Sequence, residues 1–587
     1  MKFTRRDPNK GYIDNMMWLP KKFVNVEGVK RALTFEFEDR ASMRILSLWD
    51  ETDHHVVVPR GFLKPPDYPP VPFIDCRPLD FHPTGIKSRV KLDHKKVGRR
   101  LLATGKNIQA ESIQALLGAA GGTLQLACGK GKTVVALHLA SLLQVPTIVH
   151  VDNTQLMEQW LEAAEMFLKV PGGVGVVQAQ RRDWRHGLVL ATYQTVASWA
   201  PTIPEEVRRW FGLIIWDEGH HVNAPVFSRG APLFYGYRLA LTATPTRSDG
   251  LHVVCHYHVG PILYKDVKQD MPPKIYFIWT GLELDEEDPA VKLAVRDKND
   301  EIHLGKVAVY FGQWRERLED VVLPQVEEAV QTGRKVLVLS NSVDEVINLQ
   351  VLWTRGRGSK LYTDIPRPTN QELGIDPLVE PVRLKPEQIK KTERGIKEIR
   401  ANLRKNKKLD KAKREQFKEH ISRLQLKLTQ HEAYRQINAE YKRRQRQFVT
   451  DLLAEQGTSG VFTQMVDPQT RLDFLRNRQV IFAIMKYGKE GLDDKNLDTI
   501  IVSEPVSDRN TLQQIMGRPR DKKNAVLVVL EDDVKSMTGQ CRELRKHLKH
   551  WPADEGGPFK YDMIGHPATY RRRGRSWQKG NLRVPGL

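Results

Sequence analysis

The chain has 587 residues, 40% of them apolar and 28% charged, which excludes a disordered or collagen-like polymer and suggests about three to four domains. Lysine and arginine outnumber aspartate and glutamate by 92 to 71, and a net charge of +21 points to a polyanionic partner, nucleic acid foremost. No apolar run nears the ~18 residues of a membrane helix. The first fourteen residues lack the apolar core of a signal peptide. Cys76, Cys128, Cys255 and Cys541 lie too far apart for a zinc site or a disulfide framework, so a reducing, cytoplasmic setting is expected.

In chain order, residues 1–104 read as a separate accessory unit. Short β-type runs at 32–37 and 55–59 are followed by a proline-rich loop or linker at 64–70. From 105 onward, apolar runs of four to six residues alternate with helical stretches. The runs at 123–127, 147–151, 188–191, 213–216 and 238–241 have the uniform apolarity of strands buried on both faces. The texture recurs at 275–279, 335–339, 479–483, 499–502 and 525–530. These runs predict an α/β fold with two tandem parallel-sheet lobes, at 105–272 and 273–532.

The second lobe is interrupted over 355–457. There Ile389, Ile396, Ile399 and Leu403, then Phe417, Ile421, Leu424 and Leu428, then Tyr434, Ile437 and Tyr441, keep amphipathic helix spacing. A polar stretch at 404–408 predicts the turn of an antiparallel helical hairpin. Residues 385–446 hold 21 basic and 8 acidic residues, an excess of 13, which reads as DNA or RNA contact or as a solvated arm. Residues 533–587 read as a basic tail. In it Arg571, Arg572, Arg573 and Arg575, beside Tyr570 and Trp577, fit base stacking or plain disorder.

Two patterns carry chemistry. The run Leu126-Ala127-Cys128-Gly129-Lys130-Gly131-Lys132-Thr133 comes after a strand and opens a helix at 134–143. Glycines let backbone N–H groups close around phosphate oxygens, and the helix N-terminus adds partial positive charge. Lys132 is placed to neutralise the β and γ phosphates, and the Thr133 hydroxyl to bind Mg²⁺. Farther on, an apolar run at 213–216 leads into Asp217-Glu218-Gly219-His220, which puts two acids at the carboxyl edge of a sheet. Asp217 would hold Mg²⁺ through water, Glu218 would polarise the attacking water, and His220 would link this site to a neighbouring segment.

Taken with further segments, this order of motifs resembles a superfamily 2 helicase of the DExH type over about 105–530. Lys106-Asn107-Ile108-Gln109 resembles the adenine-sensing element. The segments 151–160 and 191–195 resemble the first two nucleic-acid motifs. Residues 241–250 resemble the coupling motif, and its Arg247-x-Asp249-Gly250 extension is typical of the XPB, phage UvsW and restriction-motor branch, which acts mainly on DNA. Residues 336–342 resemble motif IV, 488–493 motif V and 513–518 motif VI. Arg518 is followed three positions later by Asp521 where an arginine is usual, so Arg520 or Arg518 alone would be the arginine finger. Cys128 and Lys130 stand where threonine and serine are more usual.

The resemblance implies two RecA-like lobes with ATP between them. Lobe one would contribute Gln109, Cys128, Gly129, Lys130, Gly131, Lys132, Thr133, Asp217 and Glu218. Lobe two would contribute Gln514, Arg518, Arg520 and Asp493. Nucleic acid would cross Thr154, Gln155, Thr192, Gln194, Thr242, Thr244, Arg247 and Ser340, held mainly by its phosphates. The expected activity is ATP-driven movement along, or remodelling of, DNA in repair, recombination or replication. An RNA helicase, the motor subunit of a restriction or defence complex, and a nucleic-acid-binding protein with a degenerate ATPase are the alternatives.

Overall fold

The computed structural model describes residues 6–584 except 40–41, 93, 98–99, 104–106, 120, 220–229, 244–251, 269–270, 407–409, 456, 490–493, 495, 520–523 and 566–583. Among them, no helix is long and apolar enough to cross a membrane.

The first hundred residues build a five-stranded sheet in the order Asp50–Glu51, His55–Val58, Met17–Pro20, Gly11–Ile13, Phe73–Asp75. The β-run expected at 32–37 starts later, at Thr34. Residues Val26–Ala32 form a helix instead, because Asn25 caps it by accepting from the Gly28 N–H. The unit packs against the first α/β lobe. Arg60, half-buried, donates to the carbonyls of Tyr235 at 2.8 Å and Gly236 at 2.6 Å. Arg238 reaches back to Asn15 O at 2.6 Å. These carbonyls satisfy the guanidinium donors, which matters most for Arg238, a buried residue.

Lobe one contains β1 (Gly121–Leu126), β2 (Thr147–Val151), β3 (Val174–Gln178), β4 (Arg181–Arg182), β5 (Leu188–Thr192), β6 (Leu213–Asp217), β7 (Tyr237–Thr242) and β8 (Ile262–Asp266). They form one sheet ordered β4-β3-β5-β2-β6-β7-β1-β8, parallel except for β4. Alternate residues serve opposite faces: Val149, Leu190, Ile215 and Leu241 enter one core, and Ile148, Val189, Ile214 and Ala240 the other. That is why these strands are apolar at every position. Helices α1 (Ile108–Leu117), α2 (Lys132–Leu143), α3 (Thr154–Phe167) and α4 (Tyr193–Trp199) flank the sheet.

Lobe two repeats the plan with β9 (Lys274–Trp279), β10 (Val336–Ser340), β11 (Ser459–Phe462), β12 (Val480–Ile484), β13 (Thr499–Val502), β14 (Val526–Glu531) and β15 (Tyr561–Ile564). All are parallel, in the order β11-β12-β10-β13-β14-β9-β15. The sheet therefore continues past the boundary expected at 532. Beyond it, a helix over Lys535–Lys549 buries Cys541, Leu544 and Leu548 in the lobe's core, and β15 extends the sheet beside β9. The apolar i, i+3, i+7 spacing of those three residues carried that signal. The arginines at 571–575, Tyr570 and Trp577 lie outside the described residues.

The interruption is two helices, α5 (Pro386–Lys405) and α6 (Lys411–Ala454). The expected turn at 404–408 lies partly outside the described residues. A Cβ at Gly395 would touch Leu424 at 3.5 Å, and Leu384 N–H donates to His431 Nδ1 at 3.1 Å, which fixes an antiparallel pairing. With 44 residues, α6 is about 66 Å long. Its last turns bury Val449 and Leu452 in lobe two.

Candidate functional site

The phosphate loop leaves β1 and enters α2 through Gly129 (φ +82°) and Gly131 (φ +84°), left-handed conformations that any side chain would strain. Space is limiting as well: a Cβ at Gly131 would overlap Gln109 Nε2. Gln109, on the first turn of α1 behind the Asn107 cap, is thus held against the loop. Lys132 Nζ donates to Leu126 O at 3.0 Å, across the mouth of the loop. Thr133 is half-buried on the first turn of α2. Lys130 turns away and pairs with Asp266 on β8 at 2.7 Å, so its side chain ties loop to sheet while its backbone faces the cradle.

Asp217 ends β6 on the same sheet edge. Its Oδ2 accepts from Trp160 Nε1 at 2.7 Å, its Oδ1 accepts from the Glu218 N–H at 3.1 Å, and its carbonyl accepts from Tyr193 OH at 3.0 Å. Burial, and next the charge of Glu218, push its carboxyl up to about 6, while the Trp160 hydrogen bond and Lys132 pull the other way. Glu218 sits at φ +48°, a left-handed conformation that strains a residue with a Cβ, and the strand end and Asp217 hold it there. Trp160 and Tyr193 lay inside the motif segments of the sequence but had no assigned role there. Only the fold brings α3 and α4 over the end of β6.

The two lobes meet at this loop. Helix α7 (Arg509–Met516), capped by Asp508, ends at Gly517, and a Cβ there would come within 2.9 Å of Cys128 Cβ. Arg518 is next in the chain, its N–H on Ile515 O at 3.1 Å, and Gln514 is buried one turn earlier. Elsewhere, Lys265 of lobe one pairs with Glu555 at 3.2 Å and Asp554 at 3.3 Å, and Glu162 with Arg476 at 2.5 Å. His220, Thr244, Arg247, Asp493 and Arg520 lie outside the described residues.

The expected nucleic-acid contacts divide. Gln194 is exposed and Thr154 half-exposed on first helical turns at the sheet edge. Gln155, Thr192, Thr242 and Ser340 are each at most 5% exposed. Thr192 caps α4, its hydroxyl taking the Thr195 N–H. Ser340 belongs to a buried ionic cluster that sequence reasoning missed. Its hydroxyl hydrogen-bonds Glu345 at 3.1 Å and Glu504 at 3.0 Å. Arg317 donates to Glu345 at 3.1 Å, Asp532 at 3.0 Å and Ser503 O at 2.7 Å. Burial, then the neighbouring Glu345 charge, raises the Glu504 carboxyl well above the usual range. A signal existed: Ser503 and Glu504 come after an apolar strand just as Asp217 and Glu218 do.

Residues 103–247 match the family model described as type III restriction enzyme, res subunit. The chain is 37% identical over 171 residues to the DNA 3'-5' translocase XPB2 of Sulfurisphaera tokodaii, covering 29% of this chain and 37% of that protein. It is 30% identical over 180 residues to the general transcription and DNA repair factor IIH helicase/translocase subunit XPB of Encephalitozoon cuniculi, covering 27% of each. It is 26% identical over 227 residues to the putative ATP-dependent RNA helicase L396 of Acanthamoeba polyphaga mimivirus, covering 38% and 43%. The chain thus spans less than half the length of these relatives. Over these partial matches the chain is similar to proteins named as XPB-type DNA helicases and translocases, and its paired parallel sheets carry the matching motifs.

Proposed function

We propose that the chain is an ATP-dependent DNA helicase or translocase whose lobes hydrolyse ATP at their shared edge. The observation that carries this reading is the contact of Gly517 with Cys128, which sets the Arg518 segment of lobe two directly against the phosphate loop of lobe one. Loop N–H groups orient the phosphates, and Lys132 exchanges its Leu126 carbonyl for phosphate oxygens. Glu218 orients the attacking water, and Arg518 neutralises the charge that develops on the γ-phosphoryl group only when the lobes are together. Gln514, in the last turn of α7, would assist, Arg520 is the alternative finger, and Gln109 would read the base. The donor set fits a divalent cation: a hydroxyl on Thr133 and a buried carboxylate on Asp217, oriented by Trp160. Bound there, Mg²⁺ would neutralise phosphate charge.

Hydrolysis that requires lobe closure becomes relative motion of the lobes. Thr154 and Gln194 on lobe one would hold the sugar–phosphate track, and the basic hairpin α5–α6 would add a grip outside it. We take 105–272 as the first lobe and 273 to about 565, less the 355–457 insert, as the second. A cytoplasmic setting fits four free cysteines. The test is Lys132→Ala and Glu218→Gln. Both are expected to abolish ATP hydrolysis while DNA affinity survives, and hydrolysis at the wild-type rate from either refutes the site. Wild-type ATPase measured in parallel with duplex DNA, single-stranded DNA and RNA separates the DNA reading from the RNA one.

A further inference from the structure

On the outer edge of lobe one, beyond the motif strands, lies an arginine-rich turn with no part in the nucleotide site. Residues 181–185 read Arg-Arg-Asp-Trp-Arg, and all three arginines are exposed. The register of the sheet places them. Arg181 and Arg182 on β4 stand opposite Gln178 and Val177, at the carboxyl end of β3, which runs beside β5 with Val177 level with Ala191. Thr192 is level with Val151, and Trp216 with His150. The arginine pair therefore lies on the same sheet edge as Gln194 and Asp217, four strand spacings, about 19 Å, from β6.

Tryptophans shape this edge. Trp184 is buried against Trp199, ring centroids 6.4 Å apart, and Trp199 ends α4, the helix whose first turn carries Gln194. Arg182 lies over the Trp199 ring, its Cζ 4.3 Å from the centroid. Arg185 stands 6.0 Å from the Trp210 ring. Stacking uses the face of a guanidinium and leaves its in-plane N–H donors pointing outward, a geometry suited to two phosphate oxygens. It also fixes a long side chain before any ligand arrives, which lowers the ordering cost of binding. Among the described residues, Arg182 has no carboxylate partner, and Arg181 has only Asp183 at 2.5 Å, in a pair exposed to solvent.

We infer that Arg181 and Arg182, with Arg182 braced on Trp199, form a phosphate-binding platform that extends the nucleic-acid track of lobe one beyond Gln194. This rests on the reading of the lobes as a nucleic-acid motor. The ligand chemistry is the sugar–phosphate backbone, of DNA or RNA alike.

The test is equilibrium binding of 30-nucleotide DNA and RNA strands across a salt series, for the full chain and for Arg181→Ala/Arg182→Ala and Arg182→Lys. Loss of two phosphate contacts lowers the slope of log affinity against log salt by about 1.4–1.8. The double variant should therefore bind about tenfold or more weakly at 0.1 M salt and converge with wild type toward 1 M. Arg182→Lys should keep the slope but bind more weakly, because an ammonium lacks the planar stack. An unchanged slope in the double variant overturns the platform. Arg182→Lys indistinguishable from wild type overturns the role of Trp199. A loss confined to one of the two sugars overturns backbone recognition. A wild-type chain without salt-dependent binding sinks the motor reading itself, an outcome distinct from any of these.

Discussion

Replacing Gly517 by alanine tests the lobe junction with a single methyl group. The added Cβ would stand 2.9 Å from Cys128 Cβ, short of ordinary carbon–carbon contact by about 0.6–1.1 Å. Neither atom is the end of a flexible chain: one is fixed by the end of α7, the other by the phosphate loop. The lobes must therefore part, or Arg518 must shift, by a comparable distance. A displacement near 1 Å in a catalytic constellation costs about 100-fold in rate, or ~2.7 kcal/mol in the barrier. We expect kcat for DNA-stimulated ATP hydrolysis to fall 10- to 100-fold while ATP affinity, set mostly by lobe one, changes little. The assay is a double-mutant cycle with Cys128→Gly, which removes the opposing Cβ. The pair should recover much of what Gly517→Ala loses beyond the cost of Cys128→Gly alone. A full-rate Gly517→Ala enzyme, or strictly additive effects in the cycle, refutes the idea that this contact sets the catalytic geometry.

Buried polar groups give three further expected outcomes. Trp160→Phe removes a hydrogen bond to the Asp217 carboxylate, a class worth about 1.5–3 kcal/mol, so ATPase should fall about tenfold and need more Mg²⁺ for half-maximal rate; an unshifted Mg²⁺ titration rejects the assigned role. Arg317→Met leaves Glu345 and Asp532 buried without their cation and should cost about 3–5 kcal/mol in urea unfolding, with partial recovery on adding Glu345→Gln and Asp532→Asn; equal stability of wild type and variant rejects it. His150 and His258 are buried, and desolvation holds them at about 4 and about 3, below the 6.5 of an exposed histidine. The unfolded chain then takes up protons first, so the stability they contribute is complete above pH 6.5 and declines as pH falls, by about 2 kcal/mol each at pH 5. Urea midpoints at pH 7 and pH 5 should diverge for wild type and converge in the His150→Gln/His258→Gln variant; parallel shifts in both would contradict the assignment.

The strand-forming runs were legible because parallel strands covered on both faces must be apolar at every position: 147–151 and 499–502 appear as strands with the bounds read from the sequence. The phosphate loop and the acid pair were each legible because their chemistry is local: glycines, lysine and threonine fall within one eight-residue run, and the two acids are adjacent at the end of an apolar strand. Groups joined only through space were not. Trp160 and Tyr193 reach Asp217 from two different helices, and Gly517 meets Cys128 across 389 positions. Burial was not legible either: Gln155, Thr192, Thr242 and Ser340 are all buried, and a polar side chain at a strand end can cap a helix, as Thr192 does, or meet buried acids, as Ser340 does, as well as face water.

By itself, then, the sequence determined the class of fold, the alternation of strand and helix, the local nucleotide chemistry and the basic hairpin. Each of these depends on neighbours within one turn or one strand, or on composition alone. Tertiary structure decided which groups converge. It closed the second sheet with a strand near the C-terminus, docked the first hundred residues through Arg60 and Arg238, and laid Arg182 on Trp199. The physical reason is that burial and partner choice are properties of packed surfaces, and those surfaces exist only once segments distant in the chain have been brought together.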